Sequence, residues 1–112
     1  MVLYDVNVKE PWFSLIKFGL KSVEGRLNKG TFSKFKVQDE IKFHNQGDVF
    51  NVEIIKVNHY DTFKQMLEQE ELQKCLPGSP SIECGVRVYR EFYSEEIEQK
   101  LGVLAIQIKK LN

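Results

Sequence analysis

Cysteine is scarce in this sequence. Cys75 and Cys84 are the only two in 112 residues, and neither belongs to a CxxC or CxxH pair. Their spacing excludes a zinc finger and a thioredoxin-type redox centre. It fits reduced thiols, and so a cytoplasmic or nuclear setting rather than a secreted one. No apolar run approaches the ~18 residues that a membrane-spanning helix needs. The opening MVLYDVNVKE lacks the apolar stretch of a secretory signal. No membrane association is expected. Net charge is also missing, because 16 Lys and Arg offset 16 Asp and Glu. A neutral chain is a poor non-specific binder of nucleic acid. The two histidines, His44 and His59, lack acidic or thiol neighbours at ligand spacing and are expected at strand ends on the surface. No metal or other cofactor is implied. Glycine-rich phosphate loops, HExxH and the GxSxG elbow are absent as well.

What is present fits one small domain over residues 1–112. Its charge is uneven. Residues 1–42 carry eight Lys/Arg and five Asp/Glu (+3), residues 43–74 three and six (−3), and residues 75–112 five and five. Such a bias also suits an ordinary solvated face.

Val2 to Val8 reads as a strand. Glu10-Pro11 opens a helix in which Trp12, Leu15 and Ile16 fall at helical spacing, with Gly19 as its left-handed stop. Trp12, Phe13 and Phe18 are expected mainly in the core. KSVEGRL is a strand, NKGTF a turn, KVQDEIKFHN a short strand and NQGD a hairpin loop. VFNVEIIKVNHY is the longest strand. Val52 and Ile54, with the stem of Lys56, take one face, and Ile55 and Val57 the other. DTFKQMLEQEELQKCL is a helix with a Thr62/Gln65 capping box and a stripe of Phe63, Met66, Leu67 and Glu70. Pro77-Gly78 ends it. IECGVRVYREFY alternates like a strand at Val86 and Val88, and fits a helix by Ile82, Val86, Tyr89 and Tyr93. SEEIEQK is an acidic helix capped by Ser94. GVLAIQIKKL closes the chain as a strand. The order is β-α-β-β-β-α-(α)-β. Irregular interleaving of strands and helices speaks against a doubly wound sheet and for a small mixed barrel or curled sheet with flanking helices.

One segment concentrates chemistry. FGLKSVEGR, residues 18–26, places Gly19, Lys21, Glu24 and Arg26 on a strand and its approach. By period two, Ser22, Glu24 and Arg26 share a face, opposite Val23 and Gly25. Gly19 permits a turn that swings Lys21 inward. Lys21 supplies a flexible cation. Glu24 accepts hydrogen bonds from an amino group such as cytosine N4. Arg26 offers a fork for phosphate or carboxylate. The alternative is that the three charges simply pair with one another at the surface.

These residues resemble the G-x-K-x-x-E-x-R pattern of the ASCH domain (activating signal cointegrator homology), a family of the PUA-like superfold. Other pieces agree in order. EPWFSLIKFGLK resembles the family's first helix. VQDEIKF resembles its Gly-Asp-x-Ile-x-Phe strand, with Gln38 where glycine is commoner. HYDTFKQMLEQEEL and the tail from PGSPSIECG to GVLAIQI follow the same order. The resemblance implies an α+β fold: a PUA-like small mixed β-barrel of five to six strands with two to four flanking helices. It further implies a cleft that binds RNA or a nucleotide or nucleoside. Gly19, Lys21, Ser22, Glu24 and Arg26 would line it, with Trp12 or Tyr93 stacking on a base. Some members are amidohydrolases that deacetylate N4-acetylcytidine, with a lysine-activated threonine and a later carboxylate. Carried onto this chain, that reading gives catalytic roles to Lys21, Glu24 and Glu83, with Glu24 standing where the threonine would be. A ribonuclease is a weaker variant of the enzyme reading. The acidic 91–98 segment offers a surface for a protein partner.

Overall fold

The structure is a computed structural model, described over residues 1–111. Strands form at Leu3–Asn7 (β1), Val23–Leu27 (β2), Glu40–Asn45 (β3), Asp48–Tyr60 (β4) and Val103–Lys110 (β5). They build one sheet in the order β1-β3-β4-β5-β2, with β1 parallel to β3 and the other pairs antiparallel. Among the described residues β1 and β2 remain edges, so the expected mixed barrel is a five-stranded half-barrel.

The long central strand departs from simple alternation. Val52 and Ile54 are fully buried as expected, but a bulge lies between Ile54 and Lys56. The extra residue shifts the phase. Lys56 turns out to solvent, and Val57, expected opposite Ile54, packs on the same core, which also holds Phe13, Phe43 and Ile106. Gln38, where the family favours glycine, takes φ +78°, and Asp39 beside it accepts the N–H groups of Val2 and Lys36 at 2.9 and 3.1 Å.

Five α-helices flank the sheet: Trp12–Lys17 (α1), Phe63–Glu70 (α2), Leu72–Cys75 (α3), Ile82–Arg90 (α4) and Glu95–Leu101 (α5). That exceeds the expected two to four. The 61–76 helix splits at Glu71, whose φ is +79°, and 82–90 resolves as helix. Glu10 caps α1, accepting Ser14 N–H and Oγ–H at 3.0 and 2.6 Å. Thr62, Ser81 and Ser94 cap α2, α4 and α5. The α2 stripe is as read: Phe63, Met66 and Leu67 are fully buried, each stabilising by about 1.5–3 kcal/mol relative to exposure. They form a second core between the sheet and α4, with Val23, Leu27 and Tyr89. Phe13 is buried and Trp12 half-buried, but Phe18 is 72% exposed. It follows the last turn of α1, outside the face that meets the sheet. Within the acidic 91–98 segment, Glu98 is buried. It accepts Phe63 N–H at 2.8 Å and Arg90 Nη2–H at 3.3 Å, tying α5 to α2 and α4. No helix is long and apolar enough to cross a membrane, among the described residues.

Candidate functional site

α1 stops because Gly19 takes φ +81°. The N–H groups of Leu20 and Lys21 then both bond Leu15 O, at 2.9 and 3.0 Å. This tight turn sends Lys21 inward, where it is 2% exposed. Its Nζ donates to the carbonyls of Val23 at 2.7 Å and Cys75 at 2.5 Å, and lies 3.4 Å from Glu24 Oε1. Three acceptors match the three hydrogens of an ammonium group. Lys21 Nζ is thereby tied to the backbone of β2 and α3 and to Glu24. The helix break at Glu71 makes this arrangement possible. It turns α3 onto the start of β2, so that Lys74 O meets Ser22 N–H and Cys75 O meets Lys21.

Glu24 joins the two cations. Its Oε2 accepts from Arg26 Nε at 3.2 Å and Nη2 at 3.0 Å, while Oε1 faces Lys21. Burial pushes this carboxyl up, but Lys21 and then Arg26 more than offset it, and the group is held below the ordinary carboxylate value. Arg26 is held from its other side by Phe32, whose ring centroid lies 4.7 Å from the guanidinium carbon. Arginine has five N–H donors. Two go to Glu24, and among the described residues the other three meet no protein acceptor.

Lys21, Glu24 and Arg26 line a cleft of about 210 Å³. That is below the ~300–1,000 Å³ of a drug-sized pocket. Trp12 and Tyr93 stand in its wall, with Phe92 in edge contact with Trp12 at 5.7 Å. Phe63 stacks on both Tyr89 and Tyr93, at 4.2 and 5.5 Å, and so fixes the wall from behind.

Three expected site residues lie elsewhere. Gly19 shapes the turn and does not line the cleft. Ser22 precedes β2 rather than sharing the face of Glu24. Its backbone is bound to Lys74 and Ile108, and it borders a different pocket. Glu83 is exposed in the first turn of α4, away from the cleft, because helical rather than extended geometry carries it to the solvent side. Sequence reasoning also missed residues. Asn7 and Lys9 reach the rim from the end of β1, and Gly25 and Tyr89 form part of the inner wall. An apolar-aromatic helical stripe was the only available signal for Tyr89. The lining carries Lys9, Lys21 and Arg26 against Glu24, a net of +2.

The different pocket centres on another buried carboxylate, Glu70. It accepts from Asn58 at 2.7 Å, Tyr60 at 2.5 Å and Gln107 at 2.8 Å. Burial pushes Glu70 up, but these three donors and Lys56 hold it below its ordinary value. Burial and the Glu70 bond push Tyr60 up to about 12. Cys75, beside Lys21, is pushed up to about 12 by burial, so its thiol stays protonated and is no nucleophile. No cluster of potential metal ligands occurs among the described residues.

The sequence pattern of the ASCH domain matches residues 6–112. The chain belongs to the ASCH domain family. Similar solved structures include hypothetical protein PH0355, 41% identical, with a TM-score of 0.92 over 98% of this chain and 100% of that one. Protein PF0455 from Pyrococcus furiosus is 39% identical, with a TM-score of 0.83 over 99% of each chain. A mutant ZmASCH protein from Zymomonas mobilis shares the fold at 11% identity, with a TM-score of 0.66 over 98% of this chain and 73% of that one. No curated protein matches the sequence significantly. This ASCH domain therefore has the fold of a family linked to RNA binding, with Lys21, Glu24 and Arg26 of its motif at the cleft.

Proposed function

We propose that the cleft binds an anionic nucleotide, either free or as the end of a single-stranded RNA. The observation that carries this reading is Arg26. Its guanidinium is oriented by Glu24 and Phe32, yet three donors are left for a ligand, beside Lys9 and an aromatic wall. A phosphate would meet Arg26 and Lys9 at the open rim, and a base would lie against Trp12, Phe92 or Tyr93. Lys21 acts indirectly: it holds Glu24, which holds Arg26. The neutral net charge fits a ligand with few phosphate contacts.

The amidohydrolase reading draws little from this geometry. Lys21 Nζ is bound to two carbonyls and paired with Glu24, Glu24 offers no hydroxyl, and Glu83 is outside the cleft. N4-acetylcytidine incubated at high enzyme concentration is expected to release no cytidine. Release above the uncatalysed level would revive that reading.

Trp12 is the chain's single tryptophan and stands in the cleft wall, so its fluorescence reports occupancy. Titration with nucleoside 5′-monophosphates and a short single-stranded RNA should quench it saturably. A log-log salt slope of about −0.7 per phosphate contact is expected, for one or two contacts. No saturable binding at low salt would remove the proposal.

A further inference from the structure

Residues 25–38 contain no Asp or Glu but four cations, Arg26, Lys29, Lys34 and Lys36. Arg26 stands at the cleft and is paired with Glu24. The three lysines are exposed, and among the described residues none of them forms an ion pair. Like charges gathered in this way repel one another until an anion neutralises them.

The fold lays this segment against the cleft. Glu24, Arg26 and Asn28 follow one another along one face of β2 by the period of two. Asn28 N–H still bonds Gly102 O, so that face continues one residue past the strand. Glu24 and Arg26 line the cleft. Asn28 Oδ1 accepts Ser33 Oγ–H at 2.8 Å, and Phe32 covers the Arg26 guanidinium at 4.7 Å. A short 3-10 helix, Gly30–Lys34, is therefore folded back over the same face, directly beyond Arg26. Phe35 anchors its end in the core of Phe13, Phe43 and Ile106, with Tyr4 at 4.6 Å. The aromatic and polar side chains of the segment fix its backbone, and the lysines are left at the surface. Arg26 is thus the inner member of a group of cations that continues outside the cleft.

We propose that residues 29–36 form a second contact surface, on which Lys29, Lys34 and Lys36 take phosphates of a single-stranded RNA whose end nucleotide sits in the cleft. This rests on the nucleotide-binding reading above and decides between its two ligands, in favour of the chain over the free nucleotide. The cleft itself offers a phosphate Arg26 and Lys9, and only a ligand that extends past Arg26 meets the three lysines. Lysine suits this task, because a flexible point charge follows successive phosphates without reading sequence. An acidic peptide would satisfy the lysines but brings no base to the aromatic wall of Trp12, Phe92 and Tyr93.

The test is Trp12 fluorescence titration of wild type and a Lys29→Ala/Lys34→Ala/Lys36→Ala triple variant, over a series of salt concentrations and alongside thermal melting. The probes are UMP and an oligouridylate of about eight nucleotides. Wild type should bind the oligonucleotide at least about tenfold more tightly than UMP at low salt. Its log-log salt slope should be steeper by about 2, since each of three added contacts contributes about −0.7. The triple variant should keep the Tm and the UMP affinity of wild type, and lose both the gain and the extra slope. Slope is the deciding readout, because additional binding registers on a longer chain raise affinity without steepening it. Equal slopes for the two probes in wild type, or an extra slope that survives in the triple variant, overturn the contact surface and leave nucleotide binding standing. An oligoglutamate of equal charge that competes as well as the oligouridylate itself would overturn it as an RNA contact. No binding of either probe by wild type removes both readings.

Discussion

Glu24 and Glu70 are both buried carboxylates near β2, and both are held below their ordinary pKa, yet their surroundings differ in kind. Glu70 is surrounded by neutral donors from Asn58, Tyr60 and Gln107, each pointing inward. Every hydrogen directed at that carboxylate is used inside the protein. Glu24 is matched by two cations, one of which has more donors than the carboxylate can take. Neutral donors close a site upon itself, whereas a surplus of cation leaves one open to an anion.

The largest effect that separates the two centres is on stability. Lys21→Ala leaves two buried carbonyls without a donor and Glu24 with Arg26 alone, and should cost about 3–5 kcal/mol, read as a large fall in urea midpoint. Its loss of ligand binding would therefore report unfolding as much as recognition. Glu70→Gln should cost about 1–3 kcal/mol, because the amides of Asn58 and Gln107 can reorient to meet the new side chain. Equal losses at the two positions would erase the contrast.

Arg26→Ala should reverse the balance between stability and function. It should cost less stability than Lys21→Ala, about 1–3 kcal/mol, because Glu24 keeps Lys21 and the Arg26 side chain is 22% exposed, but should reduce nucleotide affinity at least about tenfold. Titration of Trp12 fluorescence, with melting as control, reads both.

Acid should weaken both centres together. A carboxyl with a depressed folded pKa binds its proton more weakly when folded than when unfolded. Its contribution is complete above the ordinary carboxylate value of 4.5 and is lost as pH falls through the lower folded value. Tm should hold steady from pH 7 to 5 and fall below about 4.5, with a shallower fall in Glu70→Gln. A Tm that declines already between pH 7 and 6 would assign the loss to other groups. The smallest effect concerns the thiols: a maleimide should label half-buried Cys84 and spare fully buried Cys75 in the native state, and mass spectrometry counts the adducts.

Local physics made much of this legible in the sequence. The Gly19 turn, the Thr62 and Ser94 caps and the Phe63–Glu70 stripe each depend on residues a few positions apart, and each appears in the structure. The Gly-x-Lys-x-x-Glu-x-Arg spacing likewise located one wall of the cleft. Features set by distant pairing were harder to read. The bulge after Ile54 reversed the expected face of Val57. Residues 82–90 carried both periodicities, and packing against α2 decided for helix, which in turn moved Glu83 outward and Tyr89 inward. Ser22 had the right period but lay one residue outside the strand.

The cleft draws one wall from residues 7–26 and the other from residues 76–93. Those segments are neighbours because α3 bonds the start of β2 and α4 packs on α2, with Glu98 as a strut beneath. Neither half of the chain forms the cleft alone. Occupancy and global folding are therefore coupled equilibria: any molecule seated there fastens the N-terminal half to the C-terminal half and raises the resistance of the entire domain to unfolding.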